Sequence, residues 1–307
     1  MSPSHPQQAT PIGLIGLGQM GLPIARHLLD AGYHLRIFDL DPARLALLER
    51  HVQVTPVESV EEVATPGGIV LSIVPDDQAL RHNVEALCPH LTNGIHLDLS
   101  TVAPQAARWA EETYTQAGLS TSYLSANMLG RPTLAESARL TILLSGAPAG
   151  RQRVLPLLRL LGTVHEMSER VDAAPILKLA ANSLIVSALE ALAAAATFLR
   201  KQGLDPVEGL SILTQTPLFE GAVYQDYGAM ISRDCYEPAR FPVPLGLKDV
   251  HLILSQAEAS ECPLPIVHLA QTHLLLAEQA GWEHLDWSVL GRVVDRLAHH
   301  QLLRDQN

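Results

Sequence analysis

Short apolar runs alternate with helical patterns through the first half of the chain. Ile12–Ile15 reads as a strand, and the pattern from Met20 to Ala31 reads as a helix that Gly32 ends. His34–Phe38 is the next strand and Pro42–Arg50 the next helix; Ser59 with Glu62 has the spacing of a capping box for a short one. Val52–Val54, Ile69–Ile73, His96–Leu99, Ser120–Ser125, Leu140–Leu144 and Thr163–Glu166 continue the strand series, with helical segments between most of them. Ile69–Ile73 is apolar and rich in β-branched residues, as a strand covered on both faces requires. Strand alternating with helix predicts an α/β unit, a doubly wound and mostly parallel sheet.

After about Glu169 the strands stop. Val171–Arg200 is rich in Ala, Leu and Ile, lacks Gly, and places Pro175 where a first helical turn tolerates it. Such a helix would be about 40 Å long. Further helices are predicted at Pro206–Leu213, Lys248–Ala259, Pro265–Gln279 and Trp287–His300. The expected organisation is therefore a dinucleotide-binding domain over 1–168 and an all-helical domain over 169–307, with only the first ten residues and the last few disordered.

Composition narrows the function. Hydrophobic residues make up 47% and aromatics 4%, so the core must come from aliphatic side chains. The net charge of −11 argues against nucleic acid or an anionic membrane as partner, since both need a positive footprint. Glu190 interrupts the longest weakly charged stretch, which suits a buried helix better than a membrane span. Cys88, Cys235 and Cys262 are too few and scattered for a disulfide framework, and the opening MSPSHPQQATP lacks the regions of a signal peptide. These features predict a soluble, cytoplasmic protein. No histidine cluster has metal-ligand spacing, and His299–His300 reads as a solvated pair, so no metal is expected. Among the 21 basic residues only Lys178, Lys201 and Lys248 are lysines.

Gly16-Leu-Gly18-Gln19-Met20-Gly21 follows the first strand and opens the first helix. In that context Gly16 permits a tight turn, Gly18 lets a pyrophosphate reach the backbone, and Gly21 allows close helix–strand packing. The second strand ends in Asp39, placed to accept hydrogen bonds from the adenosine ribose hydroxyls. An Asp there repels the 2′-phosphate of NADP, and Arg36 and Arg44 flank it only at a distance, so NAD is the expected cofactor ahead of NADP.

With these segments in view, the chain resembles the β-hydroxyacid dehydrogenase family, relatives of 6-phosphogluconate dehydrogenase. The likeness runs from Ile12–Gly21 through Val74-Pro75-Asp76 and Leu99-Ser100-Thr101-Val102-Ala103-Pro104 to Lys178-Leu-Ala-Ala-Asn182 and Gly246-Leu-Lys248-Asp249-Val250. The resemblance implies that Gln19, Met20, Val74, Pro75 and Thr101 border the cofactor and that Lys248 lies at its nicotinamide end. Lys178 and Asn182 would be the catalytic pair, and as i and i+4 on a helix they share one face. Lys178 would exchange the hydroxyl proton, its pKa lowered by burial, while Asn182 orients the reacting oxygen. Lys201, at a helix end, only complements the dipole. A homodimer or homotetramer built on the helical half is also implied.

One segment departs from the family. Where Asp-Ala-Pro-Val-Ser-Gly-Gly is usual, this chain has Ser125-Ala-Asn127-Met-Leu129-Gly130-Arg131. Ser125, Leu129, Gly130, Arg131 and Asp249 are the candidate substrate contacts. Arg131 either anchors an anion by bidentate hydrogen bonds or pairs with Glu136 on the surface. The expected activity is hydride transfer between nicotinamide and a small β-hydroxyacid or its semialdehyde or oxo-acid. Two alternatives stay open: an imine reductase, which Met128 and Leu129 favour and Lys178 opposes, and a scaffold that binds dinucleotide without turnover.

Overall fold

The computed structural model describes residues 10–120 and 122–299. Thr121, inside one predicted strand, His300 and both chain ends lie outside the described residues. The chain divides into two compact units, 1–178 and 179–307.

The first unit is built on strands β1 (Ile12–Ile15), β2 (Leu35–Phe38), β3 (Val54–Pro56), β4 (Ile69–Ser72), β5 (Ile95–Asp98), β6 (Tyr123–Leu129), β7 (Leu140–Gly146) and β8 (Gly162–Glu166). They form one sheet in the order β3-β2-β1-β4-β5-β6-β7-β8. Every pairing is parallel except β6 with β7. That reversal follows from the connection: only Gly130 to Arg139 separate the two strands, too few for a parallel crossover. Side-chain alternation sends Leu14, Leu71 and Leu97 into one apolar cluster and Ile15 and Val70 into another, so both sheet faces are covered.

Helices α1 (Gly21–Asp30), α2 (Pro42–Leu45), α3 (Asp77–Leu87), α4 (Pro104–Gln116), α5 (Pro132–Glu136) and α6 (Pro148–Leu158) connect the strands. α2 is shorter than predicted. The expected capping box forms a different structure, a 3₁₀ turn over Glu61–Val63, with Ser59 Oγ 3.4 Å from Glu62 Oε1.

α7 (Ala173–Lys201) starts in the first unit and continues into the second. α8 (Pro206–Thr214), α9 (Ala222–Ser232), α10 (Val243–Ala259), α11 (Pro265–Gln279) and α12 (Leu290–Ala298) complete the helical unit around Leu189, Ala193, Val250, Leu274 and Trp287. α9 escapes a sequence reading because Gly228 and two tyrosines blur its pattern; Tyr227 earns its place by accepting a 3.0 Å bond from Trp287 Nε1. Among the described residues α7 alone is long and apolar enough to cross a membrane, and on it Glu190 sits 3.0 Å from His273 of α11.

Candidate functional site

The glycine loop separates packing from binding. A Cβ on Gly16, where φ is +92°, would lie 2.2 Å from the Ile73 carbonyl, and one on Gly21 would lie 2.0 Å from the Gly16 carbonyl. Both are glycine because the protein's own backbone fills the space. Gly18 is different: its Cβ would meet only Arg44 Nη1, at 3.7 Å. Nothing in the fold demands Gly18, so its bare backbone fits the close approach of a pyrophosphate. Gln19 is exposed, Met20 half-buried, and the first turn of α1 carries no acid to oppose an anion.

Asp39 serves the same loop. Its Oδ2 accepts the Leu17 N–H at 2.6 Å and its Oδ1 the Asp41 N–H at 2.9 Å. The two arginines near it behave unlike one another. Arg36 turns aside and donates to the Glu62 carbonyl at 2.7 Å. Arg44, which the sequence reading sets at a distance, brings Nη1 to 3.5 Å from Asp39 Oδ2.

The strand register gathers the other segments expected to border the cofactor. Ile15, Ser72, Asp98 and Ser125 lie side by side across β1, β4, β5 and β6, so the following segments leave one edge of the sheet together. This is the carboxyl edge beside the reversal of strand order between β1 and β4, where open α/β sheets bind ligands. Val74 N–H donates to Ser100 Oγ at 2.9 Å, and Ala103 N–H donates to Asp77 Oδ1 at 2.8 Å. The Val74-Pro75 turn and the Ser100-Thr101 turn are thereby tied to each other.

Beneath them runs a buried chain of polar groups that the sequence reading passes over. Ser100 and Ser72 hydroxyls donate to Asp98 Oδ1 at 2.7 and 2.8 Å, and Tyr123 donates to Oδ2 at 3.3 Å. Because Ser72 spends its proton on Asp98, its 2.8 Å contact with His96 Nε2 assigns the proton there to the imidazole. His96 Nδ1 then accepts from Tyr114 at 3.0 Å. Burial pushes the Asp98 carboxyl up to about 6, although Ser100, Ser72 and Tyr123 pull it down. Burial also pushes His96 down to about 3. The only hint of this network in the sequence is a polar residue, Ser72 or Asp98, ending an otherwise apolar strand.

In the helical unit Asn182 Nδ2 donates to Asp249 Oδ2 at 2.6 Å, both residues being buried. A carboxylate only accepts, so the contact fixes the amide's orientation. Lys248 Nζ stands 3.0 Å from Asp249 Oδ1. Lys178 is half-buried one turn before Asn182 on α7. Of the substrate-loop candidates, Ser125 is buried in β6, Leu129 ends that strand, and Gly130 is exposed. Arg131 caps α5, its carbonyl accepting from Leu134 and Ala135 N–H. Met128 packs in the sheet core.

The family model described as the NAD binding domain of 6-phosphogluconate dehydrogenase matches residues 11–171. The model described as NAD-binding of NADP-dependent 3-hydroxyisobutyrate dehydrogenase matches residues 173–294. The chain belongs to this β-hydroxyacid dehydrogenase family of NAD(P)-dependent oxidoreductases. It is 33% identical to an uncharacterized oxidoreductase of Bacillus subtilis, over 91% of this chain and 98% of the relative. With 3-hydroxyisobutyrate dehydrogenase of Pseudomonas aeruginosa the identity is 29%, over 92% and 98%. The fold matches Mycobacterium tuberculosis 3-hydroxyisobutyrate dehydrogenase at a TM-score of 0.80 with 22% identity, covering 93% and 99%. An imine reductase from Myxococcus stipitatus shares the fold less closely, at a TM-score of 0.62 with 20% identity, covering 92% and 99%.

Proposed function

We propose that this NAD(P)-dependent oxidoreductase transfers hydride between nicotinamide and a small β-hydroxyacid or its semialdehyde or oxo-acid, with NAD preferred. When bound, the nicotinamide supplies or receives the hydride. The protein's residues do the rest. Lys178 takes the hydroxyl proton as the carbonyl forms and returns it in the reverse direction. Asn182 orients the reacting oxygen. Asp249, bonded to that amide at 2.6 Å, holds Asn182 in place, and this contact is the observation that carries the reading. Arg131 replaces the family's second glycine and is the proposed anchor for the substrate carboxylate. The working form is a cytoplasmic homodimer or homotetramer; Leu184 and Phe198 leave large apolar side chains of α7 exposed in the single chain, and elution at 33.2 kDa would contradict it.

The test is a panel of hydroxyacids, semialdehydes and cyclic imines with NAD(H) and NADP(H), followed at the nicotinamide absorbance. A hydroxyacid or semialdehyde should turn over, and Lys178→Ala should lower kcat about 10²- to 10⁴-fold. Arg131→Ala should raise KM for the acid. Turnover of imines alone would replace this reading by imine reduction, and a Lys178→Ala variant that preserves function in the cell would favour a scaffold.

A further inference from the structure

Asn127 stands where the family usually has proline. Side chains alternate along β6, so Asn127 shares a sheet face with Ser125 and Leu129, while Leu124, Ala126 and Met128 pack on the other. Its side chain is buried and its amide is held in one orientation, because Nδ2 donates to the Ser100 carbonyl at 2.6 Å. Oδ1 is then the remaining end of the amide, and it has no hydrogen-bond partner among the described residues. The cross-strand neighbour is Leu143, whose side chain has nothing to donate. A buried amide oxygen is costly to leave unmet, and all it can do is accept. Two further contacts locate this face. Ser100 leads directly into Thr101, which is expected to border the cofactor. Ser125 pairs with Ser145, whose hydroxyl donates to the Val171 carbonyl at 2.9 Å and accepts the Ala174 N–H at 3.2 Å. The same face therefore receives the start of α7, one turn before Lys178.

We propose that Asn127 sets substrate choice, by offering Oδ1 to a hydrogen-bond donor on C2 of the substrate, a hydroxyl or an ammonium group. This deepens the proposed function and rests on it. In a β-hydroxyacid the proton that Lys178 exchanges sits on the oxygen at C3, and the group that Arg131 anchors is the carboxylate at C1. C2 lies between them, and its substituent is the part of the molecule those two contacts leave unread. Asn127 precedes Arg131 by four residues on the strand that leads to it, beside the Ser100–Thr101 turn. Leu129, in place of the family's serine, adds no competing side-chain donor. A site with a fixed, buried acceptor rejects an analogue that lacks the donor far more strongly than an apolar pocket rejects an added hydroxyl, because the oxygen is then left unpaired.

The experiment compares three hydroxyacids that differ only at C2, each as the racemate, followed at the nicotinamide absorbance. Glycerate carries a hydroxyl there, serine an ammonium group, and 3-hydroxyisobutyrate a methyl. In the wild type, kcat/KM for the better of glycerate and serine should exceed that for 3-hydroxyisobutyrate by at least about tenfold. Which of the two leads identifies the donor. Asn127→Leu keeps the size of the side chain and removes the acceptor, and should lower that ratio by at least about tenfold. Asn127→Ala, which adds no bulk, should lower it in the same direction and serves if the leucine is not accommodated. Both constants come from one preparation, so loss of folded protein cancels from the ratio. A purely structural role for Asn127 would lower Tm and leave the ratio unchanged. A wild-type ratio under tenfold, or a ratio within twofold of wild type in both variants, overturns the proposal while the hydroxyacid reading stands. Turnover of none of the three with either NAD⁺ or NADP⁺ overturns that reading and this inference with it.

Discussion

In the sheet unit, Leu17 and Asp39 meet although 22 positions apart, because adjacent parallel strands deliver both to the same edge. In the helical unit Asn182 depends on Asp249, 67 positions away on another helix, and Glu190 on His273, 83 positions away. The first region is shaped by backbone contact, where a missing Cβ is the determining feature. The second is shaped by buried polar side chains that need one another. Damage should therefore differ in kind: steric and global in the loop, electrostatic and local between the helices.

The strongest break in that contrast lies within the loop. Gly16→Ala should cost about 3 kcal/mol or more, since the new Cβ meets the Ile73 carbonyl at 2.2 Å with φ at +92°. Gly18→Ala meets no backbone, so its Tm should stay within about 2 °C of wild type while NAD affinity falls about tenfold. Thermal unfolding and calorimetry of the two variants would separate packing from binding; equal losses of Tm would remove the distinction. For the helices, Asp249→Ala leaves the Asn182 amide without its acceptor, and should cost about 2 kcal/mol. Asp249→Asn keeps one acceptor oxygen and should recover about half of that in denaturant unfolding.

The smallest effect sharpens the sheet side. Between about pH 4 and 6 the folded chain holds a proton on Asp98 that the unfolded chain has released, because burial raises that pKa from 3.8 to about 6. Over the same window the unfolded chain gains a proton on His96 that the folded chain refuses, its pKa being depressed from 6.5 to about 3. The two contributions to the pH slope of stability oppose and nearly cancel. Asp98→Asn leaves only the histidine's share: the variant's own stability should fall as pH drops below 6.5, by about 1 kcal/mol at pH 5.5. His96→Gln should do the reverse, gaining as pH falls from 6 towards 4. Parallel Tm–pH curves for all three proteins would show that neither group titrates as described.

Much of this was legible along the chain. The eight strands, the glycine loop, the long Ala-rich helix and the i, i+4 placement of Lys178 and Asn182 all follow from local spacing, because strand and helix periods are properties of neighbouring residues. The antiparallel β6–β7 pair was not, since pairing direction depends on how short a connection can be while still crossing a sheet. Arg44 was misjudged for a related reason. Five positions separate it from Asp39 in sequence, but the turn into α2 folds its side chain back over the acid and towards Gly18.

What the sequence by itself determined is the class of chain: a glycine-loop α/β unit followed by helices, with the oxidoreductase family's motifs in order. Only the tertiary structure decided which groups answer one another. Asp39 is occupied by its own loop, Arg44 supplies the neighbouring cation, Asp98 ties the Val74 and Ser100 turns together through Ser100, and Asp249 orients Asn182. Periodicity is short-ranged and survives in one dimension, whereas hydrogen bonds between distant residues exist only once strands and helices have brought them within about 3 Å.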